Sequence, residues 1–256
     1  RRFRELRVMT VRAICRAACA AAVFLAGACA WKPYAGELRA SSEERQAGGT
    51  TVADDGTVTF VRDRLEVRLR PVSDAELERQ FGGGGQGPES ENPFTFGGTR
   101  DVYSGSRQQR FTVFLLGIKN YQYPKVRLDG EVVVEADNGR KYYDLSESQL
   151  DRYFRAYAIG YRGNEYGVYK ERRAVLQSTM FTRAEVFSGQ ETEGYLLFEP
   201  LHGDVSEMTV VVRNLVVRFD YRGEPVESIE ARFRFERDLG RQYPDGTVEL
   251  SEGGGE

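Results

Sequence analysis

Two stretches in which apolar and charged residues alternate constrain the fold of this chain most strongly. Leu65, Val67 and Leu69 alternate with charged residues, and residues 229, 231, 233 and 235 are apolar between charged neighbours. A period of two places successive side chains on opposite faces of a β-strand, so that one face packs on a core and the other meets water. Both stretches therefore predict strands of an antiparallel sheet with a charged outer face.

Further strands are predicted between these two stretches. Residues 111–118 are apolar on both faces, which indicates a central strand that is covered on both sides. Asp137-Asn138-Gly139 separates two short apolar runs and favours a tight hairpin, because these residues tolerate positive φ. About eight short strands separated by turn residues predict a mainly β fold, an antiparallel β-sandwich.

The apolar pattern changes to a helical period at about residues 146–180, which predicts a helical hairpin inserted between strands. This insertion is rich in tyrosine and arginine, the residue types that most often dominate binding interfaces. The simpler interpretation is that most of its tyrosines cover the sandwich and its arginines are solvated. Five residues that fall off the apolar stripe or flank it are our interface candidates: Tyr166, Tyr169, Arg162, Arg172 and Arg173.

The N-terminal part of the chain has the properties of an export signal. Arg12 and Arg16 precede the apolar run 17–28, which has the length and character of a signal-peptide core. Crossing a bilayer of roughly 30 Å takes about 20 apolar residues, so this run is too short for a permanent membrane span. We therefore predict a signal peptide at residues 1–28, with Met9 as the true start.

Residues 25–29, Leu-Ala-Gly-Ala-Cys, resemble the lipobox of bacterial lipoproteins. The resemblance implies that Cys29 is acylated and becomes the first residue of the mature protein. Ala30 after the cysteine implies, by the same resemblance, an outer-membrane lipoprotein that faces the periplasm. Leu25 stands one place further from the cysteine than the usual lipobox leucine, so ordinary cleavage after Ala30 remains the alternative and would give a soluble periplasmic or secreted protein.

The composition on either side of the predicted sandwich favours unfolded segments. Residues 29–56 are polar and rich in small residues, so we predict a flexible tether there and a sandwich domain at 57–240. The glycine-rich end of the chain predicts a disordered tail at 241–256.

The charge and the cysteine content exclude several classes of function. Residues 1–28 hold six of the 36 Lys and Arg and one of the 39 Asp and Glu, so the remainder carries 30 basic and 38 acidic residues, a formal charge of −8. An acidic domain of this kind is not expected to bind nucleic acid. Cysteine occurs only at positions 15, 19 and 29, so the mature domain has neither a disulfide nor a catalytic thiol.

The remaining residues provide little for catalysis or metal binding. His202 is the only histidine and lies in a predicted turn, so a zinc site built on several histidines is excluded. The glycine run 82–85 lacks the Lys-Ser/Thr of a phosphate-binding loop. We expect no metal and no cofactor. Paired carboxylates remain the one route to an enzyme, since glycoside hydrolysis needs only two acids at a suitable separation.

The order of the late strands gives a second resemblance. Gly194, Leu196 and Phe198 in one strand, followed by a long hairpin over 208–235, resemble the telokin-like, immunoglobulin-like domains of bacterial lipoproteins. The resemblance implies an immunoglobulin-like sandwich. Together with the export signal it predicts a lipid-anchored envelope protein that is not an enzyme and that binds or supports another envelope protein. The alternative is a tethered envelope hydrolase that uses paired carboxylates.

Overall fold

The computed structural model describes residues 31–81, 94, 111–152 and 165–251, and within them the chain is mainly β. The helices are α1 (Asp74–Phe81) and α2 (Glu165–Thr179), with a 3-10 turn at Glu43–Arg45 and a helical segment at 147–152. The strands are β1 (Lys32–Ala35), β2 (Arg39–Ala40), β3 (Thr50–Val52), β4 (Val58–Arg62), β5 (Leu65–Val72), β6 (Thr112–Asn120), β7 (Lys125–Leu128), β8 (Val132–Ala136), β9 (Lys141–Tyr143), β10 (Val186–Phe187), β11 (Glu191–Phe198), β12 (Glu207–Phe219), β13 (Pro225–Glu236), β14 (Leu239–Gln242) and β15 (Val248–Leu250).

The chain divides into two compact units, and the larger one spans residues 36–238. It contains two antiparallel sheets. The five-stranded sheet has the order β11-β6-β5-β4-β3, and the seven-stranded sheet has the order β10-β7-β12-β13-β2, with β8 also paired to β12 and β9 paired to β8. Both sheets contribute to one apolar core, which gives the sandwich that the alternating residues predict.

Aromatic side chains hold the centre of this core. The ring of Phe114 on β6 lies 5.2 Å from that of Phe235 on β13 and 5.8 Å from that of Phe198 on β11. Phe114, Phe198 and Phe235 are fully buried, so each contributes about 1.5–3 kcal/mol through the apolar surface it removes from water.

A second apolar cluster covers the other face of the five-stranded sheet. Val113 on β6 and Leu197 on β11 contribute to it from the sheet. The residues that pack against them are Leu77 on α1, Leu150 in the helical segment 147–152, and Leu176 on α2. The strand β6 is therefore buried on both faces, as its continuous apolar run predicts. The helical segment 147–152 and α2 lie between β9 and β10 in sequence, within the predicted helical insertion.

The tight hairpin predicted at Asp137-Asn138-Gly139 is confirmed. The strands β8 and β9 form a hairpin whose turn residue Gly139 has φ of +82°, and Asp63, with φ of 52°, joins β4 to β5. Asn214, with φ of 53°, lies where the register between β12 and β13 shifts. The hydroxyl of Ser73 accepts a 3.3 Å hydrogen bond from the backbone N–H of Glu76 and so caps α1.

The prediction of a flexible tether is wrong for residues 31–56, which contain β1, β2 and β3. In the larger unit, β2 pairs with the end of β13, and β3 pairs with β4. The guanidinium of Arg39 donates 2.7 and 2.9 Å hydrogen bonds to the carboxylate of Asp238. Backbone pairing and ion pairs therefore order this segment, although it has too few apolar residues for its composition to predict an ordered structure.

The smaller unit includes the described residues 31–35 and 239–251. Its sheet has the order β1-β14-β15, so the predicted disordered tail is wrong for residues 241–251. The guanidinium of Arg241 lies 4.9 Å from the ring centroid of Trp31, which adds a cation–π contact between β14 and the residue before β1.

Candidate binding surface

The predicted interface in the helical insertion is described only in part. Arg173 is exposed on α2, and its Nε lies 3.3 Å from the carboxylate of Asp151. Exposed ion pairs of this kind contribute at most about 1 kcal/mol, so Arg173 behaves as a solvated surface residue. Tyr166, Tyr169 and Arg172 belong to α2, but their side chains, like Arg162 and Cys29, lie outside the described part of the chain.

A charged network covers the outer face of the seven-stranded sheet. The carboxylate of Glu135 on β8 lies 3.0 Å from Nζ of Lys141, 2.6 Å from a guanidinium nitrogen of Arg213 and 3.9 Å from one of Arg232. Lys141 above all, and then the two arginines, lower the pKa of Glu135. This carboxylate is therefore charged at neutral pH and unsuited to donate a proton.

One open cleft, with a volume of about 300 Å³, lies beside the 3-10 turn. Arg45 spans it through 2.7 Å ion pairs to Glu207 and to Glu236. Another acid in its wall, Asp137, accepts a 2.7 Å hydrogen bond from the hydroxyl of Ser206. Glu135 is the third acid of the lining, and all three lining carboxylates thus have polar partners. The lining residues are Ser41, Arg45, Glu135, Ala136, Asp137, Glu207, Met208, Thr209, Arg234 and Phe235.

A second cleft, with a volume of about 380 Å³, runs between β13 and β4, and we call it the β13 groove. Nε of Arg232 donates a 2.7 Å hydrogen bond to Glu230, the only carboxylate in its lining. Arg62 makes no ion pair with any other described residue. The groove is lined by Ala47, Gly48, Phe60, Val61, Arg62, Glu230 and Arg232.

The only histidine lies in a turn, as predicted. His202 is exposed, and its Nδ1 lies 2.9 Å from the hydroxyl of Tyr142 on β9. The described residues bring together no group of three or more His, Cys, Asp or Glu side chains that could hold a metal ion. No helix among them has the length and apolar character needed to cross a membrane.

Asp74 is the one carboxyl group among the described residues whose pKa is raised. Burial, and then the charges of Glu37 and Glu78, raise the pKa of Asp74 to about 6. Asp74 lines neither of the two clefts. Asp74 is the first residue of α1, so the partial positive charge of the helix N-terminus offsets part of the free-energy cost of burying its charged carboxylate.

We expect Asp74→Asn to stabilise the protein at pH 7.5 by about 1 kcal/mol, with no gain at pH 3.5. The folded pKa lies above the unfolded value, so stability falls as the pH rises from about 4 to 6 and the full penalty is present above pH 6. Urea unfolding at both pH values tests this. Asp55→Asn is the matched control, because the backbone N–H of Thr57 lowers the pKa of Asp55. An equal gain at both pH values for Asp74→Asn would contradict the prediction.

The comparisons with known proteins give no match: no family model, no curated protein and no solved structure is similar to this chain. The geometry of the described residues is therefore the basis for a functional proposal.

Proposed function

We infer that this chain is an exported, lipid-anchored protein of the bacterial envelope that acts as a non-catalytic binding or assembly module. The membrane attachment rests on the export signal and on Cys29 in its lipobox-like context. The partner is another envelope protein, and the anchored protein faces the periplasm from the outer membrane.

The observation that carries the binding function is the β13 groove. It is open, it borders a long strand, and its lining has two arginines and a single carboxylate, Glu230. A catalytic cleft for hydrolysis needs a carboxyl group that holds a proton near neutral pH beside a second, charged carboxylate. The composition of the groove favours recognition of a partner over acid–base chemistry.

We expect Cys29→Ser to move the protein from the membrane fraction to the soluble periplasmic fraction. Each buried acyl CH₂ contributes about 0.8 kcal/mol, so loss of the acyl chains removes the anchor completely. Fractionation and detergent-phase partitioning of the full chain measure the change. Cys19→Ser is the matched control, since Cys19 lies inside the apolar signal core and makes no lipid bond in this scheme. A wild-type protein that is already soluble in the periplasm would refute lipidation and leave simple secretion.

The alternative function, a tethered envelope hydrolase, has one observation in its favour. Asp74 has a pKa of about 6, which the charges of Glu37 and Glu78 help to raise, as is typical of a proton donor beside other acids. It belongs to the first turn of α1 and lies outside both clefts, where a polysaccharide chain would have no described groove to occupy. Loss of a glycan-hydrolysing activity in Asp74→Asn, with the fold retained, would favour this alternative.

A further inference from the structure

The strand β13 has a long backbone edge that the described residues leave mostly unpaired. On one side, β12 pairs with it from Pro225 to Glu236. On the other side, β2 pairs only with Phe235 and Glu236. Just before this point, the backbone N–H and C=O of Arg234 bond to the side-chain amide of Gln46, at 2.9 and 2.8 Å.

The bonds of Arg234 identify which other backbone groups face the same edge. Backbone directions alternate along a strand, so the N–H and C=O groups of Arg232 and Glu230 also point away from β12. No described residue pairs with them. Their side chains are exposed while Ala231 and Phe233 are buried, which shows that β13 keeps a regular alternation through this stretch.

The other long edge strand of the sandwich, β11, has backbone partners along its edge. On β11, the C=O of Tyr195 accepts a 2.9 Å hydrogen bond from the N–H of Phe181, and the C=O of Leu197 accepts a 2.8 Å bond from Leu145. The remaining edge strands β2, β3, β9 and β10 have only two or three residues each. Short or covered edges protect a sheet against pairing with other chains, so the open edge of β13 is an exception in this fold.

The β13 groove runs along this open edge and determines which side chains an added strand would need. Phe60 on β4 is only partly buried and packs on the edge of the sandwich core, so it offers an apolar contact to an inward-facing side chain. Arg62 and Arg232 line the groove together with a single acid, Glu230, and Arg234 is the next exposed residue along β13. The side chains of Arg62 and Arg234 make no ion pair with any residue in the described ranges, which leaves two cations for a partner.

We propose that β13 binds an extended acidic segment of a partner protein by β-strand addition at Glu230 and Arg232. The backbone edge supplies affinity, Phe60 selects an apolar residue on the inward face, and the arginines select acidic residues on the outward face. This inference rests on the proposed binding function and names its site and the chemistry of its partner.

The test uses the full-length exported protein and a synthetic pool of capped six-residue peptides that alternate Val or Ile with Glu. We expect the acidic pool to slow amide hydrogen exchange at Glu230 and Arg232 at least tenfold, whereas a pool with Lys in place of Glu does not. N-methylation of alternate amides in the acidic peptides should abolish the protection. Equal binding of the N-methylated or Lys pool, protection of these amides before any peptide is added, or no protection by the acidic pool would overturn the proposal.

Variants of the protein separate the groove from the surface at large. Arg62→Glu combined with Arg234→Glu should weaken binding of the acidic pool at least tenfold. Arg79→Glu combined with Arg152→Glu is the matched control, because both arginines are exposed and lie far along the chain from β13. An equal loss in the control pair, or dimerisation of the protein through the β13 edge, would overturn the assignment to a foreign acidic segment. The peptide assay does not depend on Cys29, so its failure leaves membrane attachment to be judged by fractionation.

Discussion

Replacing Gly194 by alanine is expected to lower the free energy of unfolding by about 3 kcal/mol, near the upper end of what overpacking a core costs. A Cβ at this position would lie 2.5 Å from both N and Cα of Phe181, closer than any real Cβ contact. These atoms belong to backbone, so no side-chain rotation relieves the clash. Urea unfolding of the full chain measures the loss.

The reason for this close approach is the route of the chain after α2. Met180 and Phe181 cross the edge of β11, where the N–H of Phe181 bonds to Tyr195 and its ring enters the main core. Gly194 faces the same side of β11 as Leu196 and Phe198, and the missing side chain leaves the space that the crossing backbone fills. Alanine would push this segment off β11 and expose the edge that it covers.

A second glycine provides the control for Gly194→Ala. A Cβ at Gly203 would meet no atom within 4 Å, and the backbone there does not require positive φ. We expect Gly203→Ala to change the free energy of unfolding by less than about 0.5 kcal/mol. If both variants unfold at the same urea concentration as the wild type, the backbone of residues 180–181 does not cross β11 as described.

The strands could be predicted from the sequence because their signal is local. The buried residues Ile229, Ala231, Phe233 and Phe235 on β13 follow from alternation alone, and the β8–β9 hairpin follows from Asp137-Asn138-Gly139. Each pattern lies within a dozen residues, and solvent on one face of a sheet is enough to impose it.

The order of β2 could not be predicted, since its cause lies at the other end of the larger unit. Arg39 gains its partners, Glu236 and Asp238, only when β2 reaches β13. The β13 groove has the same origin: Phe60 comes from one sheet and Glu230 from the other. Alternation predicts that Phe60 and Glu230 each lie on a strand. Whether the two residues meet depends on how the strands pair, and no local pattern in the sequence encodes that pairing.

Replacing Arg237 by methionine is expected to lower the free energy of unfolding by about 2–3 kcal/mol. Only 8 % of Arg237 is exposed. Its Nε donates a 2.8 Å hydrogen bond to the C=O of Val205, and Nη2 donates to the C=O of His202. Hydrogen bonds from charged donors contribute about 1.5–3 kcal/mol each, and their loss leaves these carbonyls without their donor. Burying the charged guanidinium also costs free energy, which methionine avoids, so the net loss of stability is smaller than the sum of the two bonds.

These bonds hold the loop between β11 and β12 against the end of β13. Leu201 and Val205 of this loop are buried in the main core, so a released loop also exposes apolar surface. Burial lowers the pKa of Arg237, but arginine starts so high that it remains charged, and the loss in Arg237→Met should be the same at pH 5 and pH 8.

Arg237→Lys separates charge from geometry at this position. Lysine keeps the positive charge, but its single ammonium cannot reproduce the planar fork that reaches two carbonyls at once. We therefore expect it to recover less than half of the stability lost in Arg237→Met, measured by urea unfolding. Full recovery by lysine would mean that the charge alone stabilises the loop, through Asp137 and Asp204, the acids whose charges act on Arg237. The fork is the better explanation, because Arg237 makes no ion pair with a described carboxylate and its donors instead reach two carbonyls of one loop.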